Sequence, residues 1–235
     1  MKSDLSEASK PYIKYIESWL QQIPILQAKE IFSQPDACAI TAVDIINGFI
    51  RLGALASSRV EPIIKPVTRL MQTAWDSGVT KILHLTDTHN PDALEFKSYP
   101  PHCLRGTAES EPVDELKALP FADHIQIIPK NTVASGLQTE FEDWVIVHPE
   151  VETYVVVGDV TDICVYQLAM YLQLDANARH LTRRVIIPEN CVQTFGRPVS
   201  AAQKEGGFAH DGDLLHVVFL YHMASNGIKV VKAID

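Results

Sequence analysis

The stretch TYVVVGDVTDICVYQLA, Thr153–Ala169, decides the fold class. TYVVV is an uninterrupted β-branched and aromatic run, the pattern of a strand buried on both faces of a parallel sheet. The turn after it carries Asp159, Thr161 and Asp162, and a helix then opens beside Cys164. A buried strand that passes through a polar turn into a helix is half of a βαβ unit. In open parallel sheets, ligands collect outside the carboxyl ends of the strands. The residues that end strands are therefore the ones to follow.

Outward from this junction the same alternation repeats. Strands are predicted at 37–44, 80–87, 124–129, 153–158 and 183–189, with IKVVKA as the last, and helices at 62–77, 112–119, 137–148, 163–176, 199–208 and 213–224. Tyr12, Ile13, Tyr15, Ile16, Trp19, Leu20 and Ile23 fall at helical spacing, so an amphipathic helix over 10–27 packs on the main body. The pattern is that of a doubly wound α/β domain over 36–235, preceded by a helical extension over 1–35. The stretch from Thr88 to about Thr107 is too long for a simple connection, and loops of that length in compact domains usually carry function.

Composition narrows the function. Twenty Lys plus Arg against 29 Asp plus Glu give a net charge of −9, which excludes non-specific binding to nucleic acid or an anionic membrane. A hydrophobic content of 46% supports a core without disulfides or metals. The amino terminus is too polar for a signal peptide and no apolar run is long enough to span a bilayer, so a cytoplasmic protein is expected. Cys38, Cys103, Cys164 and Cys191 are scattered without a CxxC pair, which suggests free thiols.

The strand ends converge chemically. Asp44 ends the first main strand, Asp87 the second and Lys130 the third, and the fourth runs through Gly158 into Cys164. Each alone has a plain structural reading as a cap, a solvated lysine or a small buried side chain. Together they assemble a nucleophile, an electrostatic activator and an acid/base. A cysteine at a helix start gains from the helix dipole, a nearby ammonium favours its thiolate, and Asp44 can take and return the proton. Backbone N–H groups between Val160 and Cys164 can bind the oxyanion formed when a thiolate attacks an acyl carbon. Asp162 reads as the N-cap of the helix. His84 reads as packed in the sheet, His210, His216 and His222 as serving packing or solvent, and Cys103 as structural.

AVDIINGF, LTDTHNPD, YPPHCLRGT, PKNT and VVGDVTDICV, in this order, resemble the nicotinamidase branch of the isochorismatase-like cysteine hydrolase superfamily. The resemblance implies a single α/β domain with a six-stranded parallel sheet and a triad of Asp44, Lys130 and Cys164. It implies a cis peptide between Val160 and Thr161, and an oxyanion hole formed by the Val160 and Cys164 amides. It also implies a divalent metal, zinc ahead of manganese or iron, on Asp87, His89 and His102. Carboxylate and imidazole suit such ions, which would orient nicotinamide by its pyridine nitrogen. Phe49 and Tyr99 fall where the family places aromatics around the ring, and a homo-oligomer is expected.

Two positions depart from many bacterial relatives. Ala93 stands where a further histidine occurs, and Ile163 stands where some carry histidine before the cysteine. DTHNPD, YPPHC and TDICV are closer to the plant-type enzymes. Another small-amide or isochorismatase-like hydrolase, and a non-catalytic metabolite sensor, are the competing readings.

Overall fold

The computed structural model describes residues 4–235; the first three residues of the predicted extension lie outside them. The strands are β1 (Ile25–Leu26), β2 (Cys38–Val43), β3 (Lys81–Asp87), β4 (Gln126–Lys130), β5 (Thr153–Asp159), β6 (Arg184–Pro188), β7 (Val192–Gln193), β8 (Lys229–Val231) and β9 (Ala233–Ile234). The helices are α1 (Leu5–Gln22), α2 (Ala28–Ile31), α3 (Asn47–Ile50), α4 (Ile64–Asp76), α5 (Asp114–Lys117), α6 (Glu140–Val147), α7 (Cys164–Arg179), α8 (Val199–Glu205) and α9 (Gly212–Ser225).

The main sheet is parallel, in the order β4-β3-β2-β5-β6-β8. It has seven strands rather than the expected six, because β7 adds a two-residue ladder to the end of β5, Gly158 opposite Val192 and Asp159 opposite Gln193. A ladder that short leaves no periodic signal in the sequence. The expected last strand is also divided: Lys232 separates β8 from β9, and β9 pairs with β1 in a separate two-stranded sheet.

Every residue of β2 and β5 is buried, as expected of strands covered on both faces. One face packs Ile40, Ala42, Val155 and Val157 against Val67, Leu70, Met71 and Ala74 of α4. The other packs Val43, Tyr154 and Val156 against Phe141 of α6, Val165, Leu168 and Leu172 of α7, and Leu220 and Met223 of α9. Among the described residues no helix is long and apolar enough to cross a membrane.

The amino-terminal helix starts and stops earlier than the apolar spacing predicts. Asp4 caps it by accepting from Ser6 N–H at 3.0 Å, with Glu7 in the first turn. Pro24 then forces Ile23 into extended backbone. The segment is bound into the body: Ile16 is buried, Phe32 joins the core, and Ala28 N–H donates to the Asp235 carbonyl at 2.7 Å.

His84 lies in β3 at 1% exposure, as the sequence predicts, and its Nε2 has no partner among the described residues. Burial lowers its pKa to about 3, with the Lys130 ammonium acting in the same direction. A group depressed on folding contributes stability that is present above its unfolded pKa of about 6.5 and lost as pH falls toward the folded value. The urea midpoint is therefore expected to fall more steeply between pH 6.5 and 4 in the native protein than in His84→Leu. Parallel curves for the two proteins would show that His84 does not carry this dependence.

Candidate active site

The chain runs from β2 through β3 to β4 on one side of the sheet and from β5 through β6 to β8 on the other. The topological switch point therefore lies between β2 and β5, the place where doubly wound sheets open a crevice. Asp44 follows β2 and Cys164 follows β5. Gly158 permits the strands to meet there: its φ is +114°, and a Cβ at that position would lie 2.0 Å from the Val43 carbonyl oxygen.

Asp44 is fully buried, in left-handed backbone with φ 55°. Its N–H donates to the Leu85 carbonyl at 2.9 Å, and its Oδ1 accepts from Asp87 N–H at 2.7 Å. Lys130 ends β4 with Nζ 2.8 Å from Asp44 Oδ2, an ion contact, while donating to Asp87 Oδ1. The same ammonium lies 3.7 Å from Cys164 Sγ. Carboxylate oxygens of Asp44 and Asp87 and the Cys164 sulfur all fall within 4.8 Å of one another. The structure thus brings Asp44, Lys130 and Cys164 together.

Burial raises the Asp44 pKa to about 6, against the lowering pull of Lys130 and with Asp87 adding to the rise. Lys130 keeps its proton: burial opposes the charge, but two carboxylates and the Cys164 sulfur hold it well above the ordinary lysine value. The expected easing of the Cys164 thiolate is reversed. Burial pushes the thiol well up, Lys130 offsets part of this, and the two nearby carboxylates push it further. Cys164 therefore rests as a thiol and needs a base.

The turn before Cys164 differs from expectation in two respects. The cis peptide lies between Asp159 and Val160, not between Val160 and Thr161. β5 extends one residue further than predicted, and Thr161 N–H then continues toward β7 by donating to the Gln193 carbonyl at 3.1 Å, which fixes the 160–161 peptide beyond the corner. Among the described residues, neither Val160 N–H nor Cys164 N–H has an acceptor, so both donors implied for the oxyanion are free.

Asp162 is not the N-cap. That position is Ile163, without a side-chain cap, and Asp162 is drawn away by two side-chain partners, Thr194 Oγ1 and His210 Nε2. The other aspartate, Asp159, is fully buried, and neither carboxyl oxygen has a partner among the described residues. Burial, with Asp44 acting in the same direction, pushes it well above the usual carboxylate range.

Beside this cluster lies a second one that shares Asp87. While Oδ1 of Asp87 faces Lys130, Oδ2 lies 3.5 Å from His89 Nε2 and 3.6 Å from His102 Nε2. The long loop doubles back to make this possible: His89 N–H donates to the Cys103 carbonyl at 3.0 Å, and Arg105 N–H donates to the His89 carbonyl at 2.9 Å. Each ring is oriented through Nδ1, His89 by Asn131 Oδ1 at 3.2 Å and His102 by the Pro100 carbonyl at 2.8 Å. Oxygen partners on Nδ1 favour the tautomer that leaves Nε2 as a ligand, as in metal-binding histidines. His89 Nε2 is buried without a hydrogen-bond partner among the described residues. One ligand atom from each of Asp87, His89, His102 and Glu95 falls within a 4.8 Å group, a donor set suited to a divalent metal.

Glu95 was missed in the sequence. Its Oε1 is 4.0 Å from His89 Nε2, two residues after the buried Ala93 that replaces the family's further histidine. Its place in the chain, six residues after His89, was the available signal. Phe49 and Tyr99 flank His102 at ring distances of 5.6 and 6.2 Å, and Phe96, also missed, lies 5.6 Å from it. His222 is exposed, as expected, and Cys103 is a buried thiol whose Sγ fills the space beside Gly48. His210 and His216 do more than pack: His216 Nδ1 hydrogen-bonds with Thr161 Oγ1 at 2.9 Å.

A family model described as Isochorismatase domain matches residues 38–205. The chain belongs to the isochorismatase family. This isochorismatase-family hydrolase is 30% identical to Nicotinamidase 1 of Arabidopsis thaliana over 231 residues, 92% of this chain and 94% of the relative. Its fold is that of N-carbamoylsarcosine amidase from Thermoplasma acidophilum, with 23% identity and a TM-score of 0.61 over 83% of this chain and 95% of that one. It also matches the pyrazinamidase of Pyrococcus horikoshii in complex with zinc, with 22% identity and a TM-score of 0.63 over 83% and 99% of the two chains.

Proposed function

We propose that this chain hydrolyses nicotinamide to nicotinate and ammonia through a thioester on Cys164. The observation that carries the reading is Asp87, whose two oxygens join a buried cysteine, lysine and aspartate set to a cluster of metal-ligating side chains. A cysteine amidase without metal needs only the first set. The curated plant nicotinamidase, similar along nearly the whole chain, supports the same substrate.

In this mechanism Asp44 takes the Cys164 proton. The thiolate adds to the carboxamide carbon, and the carbonyl pair moves to an oxyanion held by the Val160 and Cys164 amides. Collapse expels ammonia with the proton returned by Asp44. Asp44 then takes a proton from water, whose oxygen adds to the thioester, and nicotinate leaves as Cys164 recovers its proton. Lys130 holds the ionised forms of Asp44 and the sulfur in place. Asp87, His89 and His102, with Glu95, would hold a divalent metal, zinc first. Such an ion supplies a Lewis-acid anchor for the pyridine nitrogen. Phe49, Phe96 and Tyr99 bound the ring.

Ammonia release from nicotinamide is expected in protein purified without chelator and containing about one equivalent of metal, with loss on chelation and recovery on adding zinc. Hydrolysis of other small amides but not nicotinamide, unaffected by metal, would instead select a metal-free amidase of the family.

A further inference from the structure

We infer that His216 and His210 are positioning residues for the turn that carries the oxyanion donors, acting through Thr161 and Asp162. The inference rests on the cysteine hydrolase reading and adds a support that the family motifs do not contain. Val160 and Cys164, the residues with free N–H groups, flank Thr161 and Asp162, and each of these two side chains is held from a distant segment.

Thr161 is fully buried and hydrogen-bonds at 2.9 Å with Nδ1 of His216, a ring on α9 with 6% exposure. The other face of that ring is anchored: Nε2 is 3.9 Å from Glu189 Oε1, and Glu189 Oε2 accepts from Lys232 Nζ at 2.7 Å. Asp162 Oδ2 is 2.8 Å from His210 Nε2, whose Nδ1 meets the Phe195 carbonyl at 3.0 Å and whose ring stacks on Phe195 at 3.8 Å. A buried imidazole is costly unless its nitrogens meet polar partners: in His216, Nδ1 is hydrogen-bonded to Thr161, and Nε2 lies within ion-pair distance of Glu189. The two histidines therefore hold consecutive side chains of the turn, between the residues whose N–H groups are free. Oxyanion donors work only within a narrow distance range, so a shift of the turn of about 1 Å lowers turnover by roughly 10².

The test is a double-mutant cycle of Thr161→Val and His216→Ala, with His210→Ala alongside. Each single variant is expected to lower kcat for nicotinamide by about 10- to 100-fold, with KM within about twofold. The Thr161/His216 double variant should lose no more than the worse single variant, because the two act through one contact. Pyridine-3-carbaldehyde provides a second readout. The Cys164 sulfur bonds to its carbonyl carbon, the carbonyl pair moves to oxygen, and that oxygen takes the same donors. Its affinity should fall by the same factor as kcat/KM, a correlation that a merely structural role would not produce. Thr161→Ser, which keeps the hydroxyl, should lose less than Thr161→Val, and this pair carries the comparison if His216→Ala does not fold.

Multiplicative losses in the cycle, or folded variants with unchanged kcat, would overturn the inference. If the native protein leaves nicotinamide untouched, the proposed substrate fails, but aldehyde adduct formation at Cys164 still tests the clamp: weaker binding in the variants supports it and equal binding overturns it. A native protein that takes neither compound refutes both.

Discussion

Cys164→Ala is expected to release no measurable ammonia from nicotinamide, a loss on the order of 10⁴-fold or more, because the side chain that forms the covalent bond is gone. The variant should fold normally, since the sulfur fills a small buried position at the start of α7 beside Ile163 and Val165, and alanine keeps the helix. Its metal content should match the native protein, because the ligand cluster reaches the cysteine only through Asp87. Asp44→Asn serves as the companion measurement, with an expected loss of about 10²- to 10⁴-fold in kcat for removal of a proton-transfer group. Native turnover should also fall as pH drops through about 6, where the buried Asp44 takes up its proton and can no longer accept one from the Cys164 thiol. Asp44 shares the Lys130 ammonium with the carboxylate of Asp87, so that limb belongs to the interacting set. Residual turnover in Cys164→Ala close to native would refute the thioester route.

What the sequence revealed of this site follows from distance along the chain. Asp44, Asp87, Lys130 and Cys164 all sit at or just past strand ends, and strand ends are readable from uninterrupted β-branched runs, so the parallel sheet brings them to one edge. His89 and His102 were legible through their short motifs, although their meeting depends on a loop that doubles back through backbone bonds. Glu95 lies in no recognisable motif: the further histidine of bacterial relatives falls at Ala93, and one 3-10 turn in the loop brings a carboxylate to the histidines from two residues further on. An aspartate before a helix usually caps it, but Asp162 does not. Its actual partners, Thr194 and His210, come from segments joined only by tertiary folding, and the same holds for Thr161 and His216. Helix position and a neighbouring lysine, which favour the Cys164 thiolate, are visible in sequence, whereas burial between two carboxylates, which opposes it, is not.

Lys130→Met is expected to cost the fold about 3–5 kcal/mol at neutral pH, more than most single substitutions, because it removes the ammonium that contacts two buried carboxylates while leaving both in place. Methionine retains most of the apolar stem, so the loss reports charge rather than packing. The pH dependence gives the sign. In the native protein Lys130, with the His102 and His89 rings beside the carboxylate, outweighs burial and holds Asp87 well below the usual carboxylate range. That contribution is present above the unfolded carboxyl pKa of about 3.9 and is lost only as pH falls through the lower folded value. Without the ammonium, burial prevails and both carboxyls of the folded variant hold protons to higher pH. Its stability therefore declines as pH rises above about 4, and the gap to the native protein widens toward neutrality. Urea unfolding at pH 5 and pH 7.5 measures this directly: the difference between the two proteins should be larger at pH 7.5. A difference that is the same at both pH values would mean that Lys130 contributes packing alone, and the electrostatic role assigned to it at Asp44 and Cys164 would fall with it.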